Sequence, residues 1–282
     1  MPYPPNINTA NIIDRVVQQG LSSALVLEDD SDWDVSLKDR LVDFAHGART
    51  IAEHTTKRKS ATPYGDNWDF LWPGHCSLQV QTDKSPLGPP SGASRGRVLI
   101  ENDHTAPKPQ HRSSFSYIPD MSGFPDTTRV VFKADYGICL YAYALSFRGA
   151  QKLLRAQATR KTFVAIDLGI GDMCQSRDIP FNCVGVYPGI VDSHRTAGSE
   201  LKDSNINQEL ENHIRDNAYT FNMIYSSRLN TERILRGEKA VSQWPEDGED
   251  EGRGGETRYR VIDCEDGIQG NVWPANMPPQ DG

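Results

Sequence analysis

Glu28, Asp29 and Asp30 close the apolar run Ala24-Leu25-Val26-Leu27, and three successive carboxylates in that place set the chemistry the chain can attempt. Side by side they repel unless a cation sits between them. Oxygen ligands suit a hard divalent ion such as Mn2+ or Mg2+, which completes its shell with water and phosphate oxygens. A phosphate-bearing partner is implied. In an extended strand Glu28 and Asp30 point to one side and Asp29 to the other, so the spacing predicts that the first two hold the metal while Asp29 meets ribose or a backbone amide. The same acids also fit a surface turn that caps the following helix, with Asp34 as a further cap candidate, and spacing alone leaves both readings open.

The elements that must position these acids read as alternating helices and strands. Ile12, Ile13, Val16 and Val17 recur at helical spacing between Asn11 and Gln19, with Asn8 or Thr9 as cap and Gly20 as stop. Ala24 to Leu27 reads as a strand covered on both faces of a parallel sheet. Leu37, Leu41, Phe44, Ala45, Ala48 and Ile51 form the stripe of a second helix, and Trp68 to Trp72 reads as a strand ended by Pro73-Gly74. Residues 82–128 are rich in Pro, Ser and Gly and read as a long surface loop. Order returns at Arg129 to Lys133 and Ile138 to Leu145, followed by a helix capped by Ser146 that carries Ala150, Leu153 and Leu154. Phe181 to Tyr187 is the last clear strand. Ile206 to Ile214 and Ser227 to Leu235 read as short helices, and Glu246 to Glu251 as a solvated acidic run. The expected fold is an α/β three-layer sandwich over residues 1–244 with a mixed, mostly parallel sheet, trailed by an irregular acidic tail over 245–282. Ligands bind such a sheet outside the carboxyl ends of its strands, where the three acids lie.

Composition narrows the partners. Lys and Arg total 30 against 38 for Asp and Glu, a net charge of −8, which argues against a sequence-independent grip on nucleic acid. Cys76, Cys139, Cys174, Cys183 and Cys264 contain no C-x-x-C pair, so neither a zinc knuckle nor a dense disulfide framework is expected, though single disulfides fit. No run of about 18 apolar residues exists, and no basic stretch with an apolar core follows Met1, so neither a membrane span nor a signal peptide is expected in the chain as given. Trp33, Trp68 and Trp72, beside strands, read as core.

The string Ser22-Ser23-Ala24-Leu25-Val26-Leu27-Glu28-Asp29-Asp30-Ser31-Asp32-Trp33-Asp34 resembles glycosyltransferase family 25, in particular its fungal branch. Ala134-Asp135-Tyr136-Gly137 with Ala142 to Leu154, and Val186-Tyr187-Pro188 leading to His194-Arg195-Thr196-Ala197-Gly198, look like two further blocks of that family. The resemblance implies a GT-A-like fold, a UDP-galactose or UDP-glucose donor, a glycan or glycoprotein acceptor, and transfer with inversion at the anomeric carbon. It matches Glu28 to Asp30 with the family's counterpart of a D-x-D motif, His194 with a histidine that completes the metal or diphosphate site, and Asp167 with the base that takes the acceptor proton. Arg195 has the bidentate fork that pairs with diphosphate oxygens, and can equally bridge to Asp192. The bland reading of Asp167 is a helix N-cap, and that of His194 a hydrogen-bonded loop histidine.

The sequence departs from the family in two places. Leu168 stands where many relatives carry a second acid. The apolar first strand and basic turn that hold uridine have no counterpart in Met1 to Thr9, so the sheet is expected to be incomplete at its amino-terminal side, with an open edge through which two chains can pair. Two rival readings follow: a catalytically silent module that binds a glycan or a protein, and a metal-dependent phosphohydrolase using the same acids. Relatives often work in the secretory pathway.

Overall fold

The computed structural model describes residues 7–80, 96–159, 165–176, 178–203, 213–247, 256–262 and 271–272. Most of the expected helix over Ile206 to Ile214, much of the acidic run and Cys264 lie outside them, and the helix's last residue, Ile214, is extended and pairs with Ser199. Helix α1 (Ile7–Gln18) buries Ile13 and Val16, and α2 (Leu37–Thr56) buries Phe44, Ala48 and Ile51, as their periodicity requires. The strands are β1 (Ser23–Leu27), β2 (Ser31–Trp33), β3 (Phe70–Gly74), β4 (Ser77–Val80), β5 (Arg97–Glu101), β6 (Ile118–Pro119), β7 (Arg129–Ile138), β8 (Ala142–Ser146), β9 (Cys183–Tyr187) and β10 (Val191–Arg195). Helices α3 (Phe147–Thr159) and α4 (Ile166–Gln175) lie between β8 and β9.

The main sheet runs β1-β8-β3-β9-β7-β5 and ends on the strand Arg258–Ile262, with β10 joining β3 and β2 at one end. It is an α/β layered fold with a mixed sheet, as expected, but mostly antiparallel. Parallel pairing is confined to β3 with β9 and to the contact of Val191 with Gly74, because β8 threads antiparallel between β1 and β3 and β7 turns back beside β9. One face carries α1, α3 and α4 over a core that includes Phe70, Trp72, Leu99, Phe132 and Leu145. The other carries α2 over Leu71, Val98, Val131, Val184 and Val186.

Three expectations change. The strand Ala24 to Leu27 is an edge strand rather than one covered on both faces. Ala24 and Val26 pack inward, but α2 lies over β5, β7 and β9, so Leu25 stays 50% and Leu27 39% exposed. The loop expected over 82–128 contains β5, whose Val98, Leu99 and Ile100 are buried and which pairs with β7; residues 82–95 lie outside the described part. The tail contributes the strand Arg258–Ile262, which pairs with β5, stacks Tyr259 on His46 and donates the Tyr259 hydroxyl to Asp43.

Two disulfides, Cys76–Cys139 and Cys174–Cys183, tie β4 to the end of β7 and α4 to β9. Around Asp103 a buried ion cluster fixes the bend after β5. Its carboxylate accepts from Arg40 Nη1 at 2.8 Å and Arg129 Nε at 2.5 Å, and Arg129 also donates to the carbonyls of Pro188 and Gly189. Burial alone pushes the Asp103 carboxyl up, but the two guanidinium groups outweigh it and hold it at about 2.

Candidate functional site

Strand β1 stops at Leu27, and Glu28 to Ser31 form a turn closed by the Ser31 N–H donating to the Glu28 carbonyl at 3.2 Å. The alternation expected of Glu28, Asp29 and Asp30 therefore does not apply, because strand parity ends with the strand. The turn is clamped from two directions. The Tyr141 carbonyl accepts from the Glu28 N–H at 3.1 Å and from the Ser31 hydroxyl at 2.5 Å. Arg228 donates to the carbonyls of Ser31 and Asp29 at 3.0 and 2.5 Å.

Each acid then meets a different environment. Asp29 is exposed. Asp30 Oδ2 accepts from the Ser193 hydroxyl at 2.6 Å and its carbonyl from the His194 N–H at 2.9 Å, which fastens it to β10. Glu28 is half-buried and no described residue donates to its carboxylate. Burial, and then the charges of Asp30, Asp167 and Asp29, push Glu28 from its ordinary 4.5 up to about 7. Asp167 thus stands within electrostatic reach of Glu28. It lies in the first turn of α4, where Ala165 holds the cap position, so it is not the N-cap; its Oδ2 accepts instead from the Cys139 N–H at 3.1 Å. Asp34 likewise does not cap α2 directly: Ser36 holds that position, and Asp34 Oδ1 accepts from its N–H and hydroxyl.

His194 and Arg195 end β10. His194 Nδ1 lies 3.0 Å from Thr220 Oγ1, and burial pushes the imidazole below its usual range. Arg195 Nε is 4.0 Å from Asp203, which also takes Arg215 at 2.6 Å. Asp192, the alternative partner of Arg195, is buried and accepts from Asn222 Nδ2 at 2.7 Å. Burial raises Asp192 to about 7. The buried Tyr141 phenol is raised by burial first and then by Asp192, with Asp30 and Glu28 contributing, so its hydroxyl stands among these carboxylates.

The structure therefore gathers Glu28, Asp30 and Asp167 at one rim and sets His194 beside Asp30, while Arg195, next along β10, lies nearest Asp203. Among the described residues no three His, Cys, Asp or Glu side chains are grouped so as to hold a metal by themselves. The donor set still suits a hard divalent ion of the kind bound through one or two carboxylates and completed by substrate phosphate. Tyr141, Asp192, Asp32, Thr220, Asn222 and Arg228 are the site's unforeseen members. Asp32 lies in the acidic string, where Glu28 to Asp30 draw the chemistry; Thr220 and Asn222 carry no signal in a single sequence. Trp72 is fully buried and Trp33 and Trp68 pack against the second core, as expected.

Fold and site together define a Rossmann-like α/β protein whose first strand delivers crowded carboxylates to the rim of a mixed sheet. The chain is similar to procollagen galactosyltransferase 1 of Danio rerio, at 26% identity over 151 residues, which are 54% of this chain and 17% of that protein. The relationship is glycosyltransferase-like and distant, and the match spans less than a fifth of the relative's length. No protein-family profile and no solved structure matches the chain.

Proposed function

We propose that the chain carries the site of a metal-dependent inverting glycosyltransferase that moves a hexose, galactose or glucose, from a UDP-sugar to an acceptor hydroxyl. The observation that carries this reading is the convergence of Glu28, Asp30 and Asp167, with Glu28 driven to about 7 by burial and then by its neighbouring carboxylates, a conflict that a cation relieves. Glu28 and Asp30 are the residues that would hold Mn2+ or Mg2+, with His194 beside them. When bound, the ion offsets charge on a departing diphosphate. Arg195 would supply a guanidinium for diphosphate oxygens, and Asp29, which is exposed, would meet the ribose. Asp167 accepts the acceptor proton: one carboxylate oxygen is fixed by the Cys139 N–H, which leaves the other to act as base.

A second reading is a catalytically silent module that binds a glycan or a protein. It is favoured by the outer edge of β1, which adjoins Glu28 and has no neighbouring strand among the described residues. Thermal unfolding with Mn2+ and UDP separates the two. A rise in Tm for the wild type and none for Asp30→Asn supports the donor site, and UDP released from UDP-galactose or UDP-glucose shows turnover. No shift in either protein leaves the silent module.

A further inference from the structure

The function proposed above employs His194 but has no use for Asp32, a fully buried acid two residues past Asp30. Four donors end on its carboxylate. Oδ1 accepts from the backbone N–H groups of Trp33 at 2.8 Å and Arg228 at 3.1 Å. Oδ2 accepts from the hydroxyls of Thr220, at 2.7 Å, and Ser226. In both hydroxyl contacts the carboxylate oxygen is the acceptor, so both hydroxyl protons point at it.

That assignment propagates. Thr220 owns a single hydroxyl proton, and it is committed to Asp32. The 3.0 Å contact between Thr220 Oγ1 and His194 Nδ1 can then exist in one direction, with the imidazole donating. The frame holds this geometry from the backbone outward. His194 pairs directly with Thr220 across antiparallel strands, which puts the ring and the hydroxyl on one face, and the His194 N–H is fixed to the Asp30 carbonyl. No described donor bonds to Nε2.

We propose that Asp32 and Thr220 are positioning residues that hold neutral His194 with its proton on Nδ1, so that Nε2 offers a lone pair at the acidic turn. Free imidazole side chains carry the proton mainly on Nε2, so the structure inverts the intrinsic preference. The hydrogen bond made by one ring nitrogen fixes which nitrogen is left to meet a ligand, and here the acceptor is a hydroxyl whose own proton is held by a carboxylate.

The test is long-range 1H–15N correlation NMR of protein labelled at its histidines, recorded above the imidazole titration, with the signal assigned by its loss in His194→Gln. Wild type is expected to show a protonated Nδ1 and a bare Nε2, Thr220→Ser to keep that pattern, and Thr220→Val to revert to the Nε2–H form. A wild-type His194 protonated on Nε2 overturns the proposal without recourse to any variant, as does Thr220→Val retaining the Nδ1–H form. A titration with Mn2+ followed by its EPR signal addresses the function reading on which the lone pair's use rests: the Kd is expected to rise about tenfold in Thr220→Val and to stay unchanged in Thr220→Ser. The expected tautomers in a wild type that binds no Mn2+ would uphold the positioning device and overturn the cation site.

Discussion

The backbone N–H of Cys139 donates to Asp167 Oδ2, so the candidate base is oriented by a residue that is also half of a disulfide. Cys139 has a φ of 62°, in the left-handed region that a side-chain-bearing residue holds when its surroundings insist on it. The bond to Cys76 holds the residue from its side chain. It also closes the longer of the two disulfide loops, with a sequence separation of 63 against 9 for Cys174–Cys183. Loop-closure entropy then assigns about 4 kcal/mol to the first bridge and about 2.5 kcal/mol to the second. Urea unfolding of Cys76→Ser/Cys139→Ser and Cys174→Ser/Cys183→Ser is expected to rank them in that order. Turnover should fall mainly in kcat for the first pair, since Asp167 loses its fixed donor. Equal losses, or the reverse ranking, would refute the argument.

Glu28 is an acid at this rim whose environment opposes its charge. Its carboxyl is raised to about 7 by burial and by Asp30, Asp167 and Asp29, while in the unfolded chain it titrates near 4.5. Between those values the unfolded state ionises and the folded state does not, so stability is lost as pH rises from about 4.5 to about 7. Glu28→Gln removes the conflict. It is expected to stabilise cation-free protein by about 1–2 kcal/mol at pH 8, a figure reduced from the full shift for screening by water, and to gain nothing at pH 4.5. Thermal unfolding at the two pH values checks this. A destabilised variant at pH 8 would mean that the carboxylate is held by a partner rather than crowded.

Much of this arrangement was legible in the sequence, and the rest was not for identifiable reasons. The stripes of α1 and α2 follow from period alone, since Ile13, Val16, Phe44 and Ile51 must share a face to be buried. Glu28 and Asp30 announced themselves as consecutive acids after an apolar run. Strand β5 stayed hidden because Val98, Leu99 and Ile100 are a short apolar run beside a Pro-rich stretch, and such a run gives no period to read. The strand Arg258–Ile262 was lost for a similar reason: it is mostly exposed and owes its place to pairing with β5. The clamp on the acidic turn was beyond reach. Asp32 and Thr220 are 188 residues apart, as Asp29 and Arg228 are 199 apart, and only the folded sheet brings them together. The cysteine pairing had the same character, since composition allowed single bridges without naming them.

His75 supplies a pH dependence of opposite sign. It is buried, its Nε2–H donates to the Val186 carbonyl at 2.9 Å, and Nδ1 has no partner among the described residues. Burial lowers its pKa from 6.5 to about 4, against a smaller opposing effect of the Val186 bond. As pH falls from 6.5 toward 4 the unfolded chain takes up a proton that the folded one refuses, so up to about 3 kcal/mol is lost over that window. The measurement belongs in the Glu28→Gln background, where one competing titration is gone and that of Asp192, raised to about 7, is common to both proteins compared. His75→Gln is expected to flatten the acid limb of the stability curve below pH 6.5 while costing stability at neutral pH through imperfect packing. An acid limb of unchanged slope would show that another group drives it.

Strand β1 leaves two kinds of surface unsatisfied at once. Leu25 and Leu27 are 50% and 39% exposed on one face, and among the described residues no strand pairs with its outer edge. A row of unpaired backbone groups beside exposed leucines is a template for another strand, and a lysine on such an edge blocks pairing because it strands a charge in the new interface. Wild-type protein is therefore expected to associate with rising concentration, and Leu25→Lys/Leu27→Lys to remain monomeric in sedimentation runs at the same concentrations. Both positions face water, so the variant should lose little stability, on the order of 0.5 kcal/mol. The same weight-average mass for both proteins across the series would eliminate β1 as the interface, and association that survives the lysines would place it on another surface.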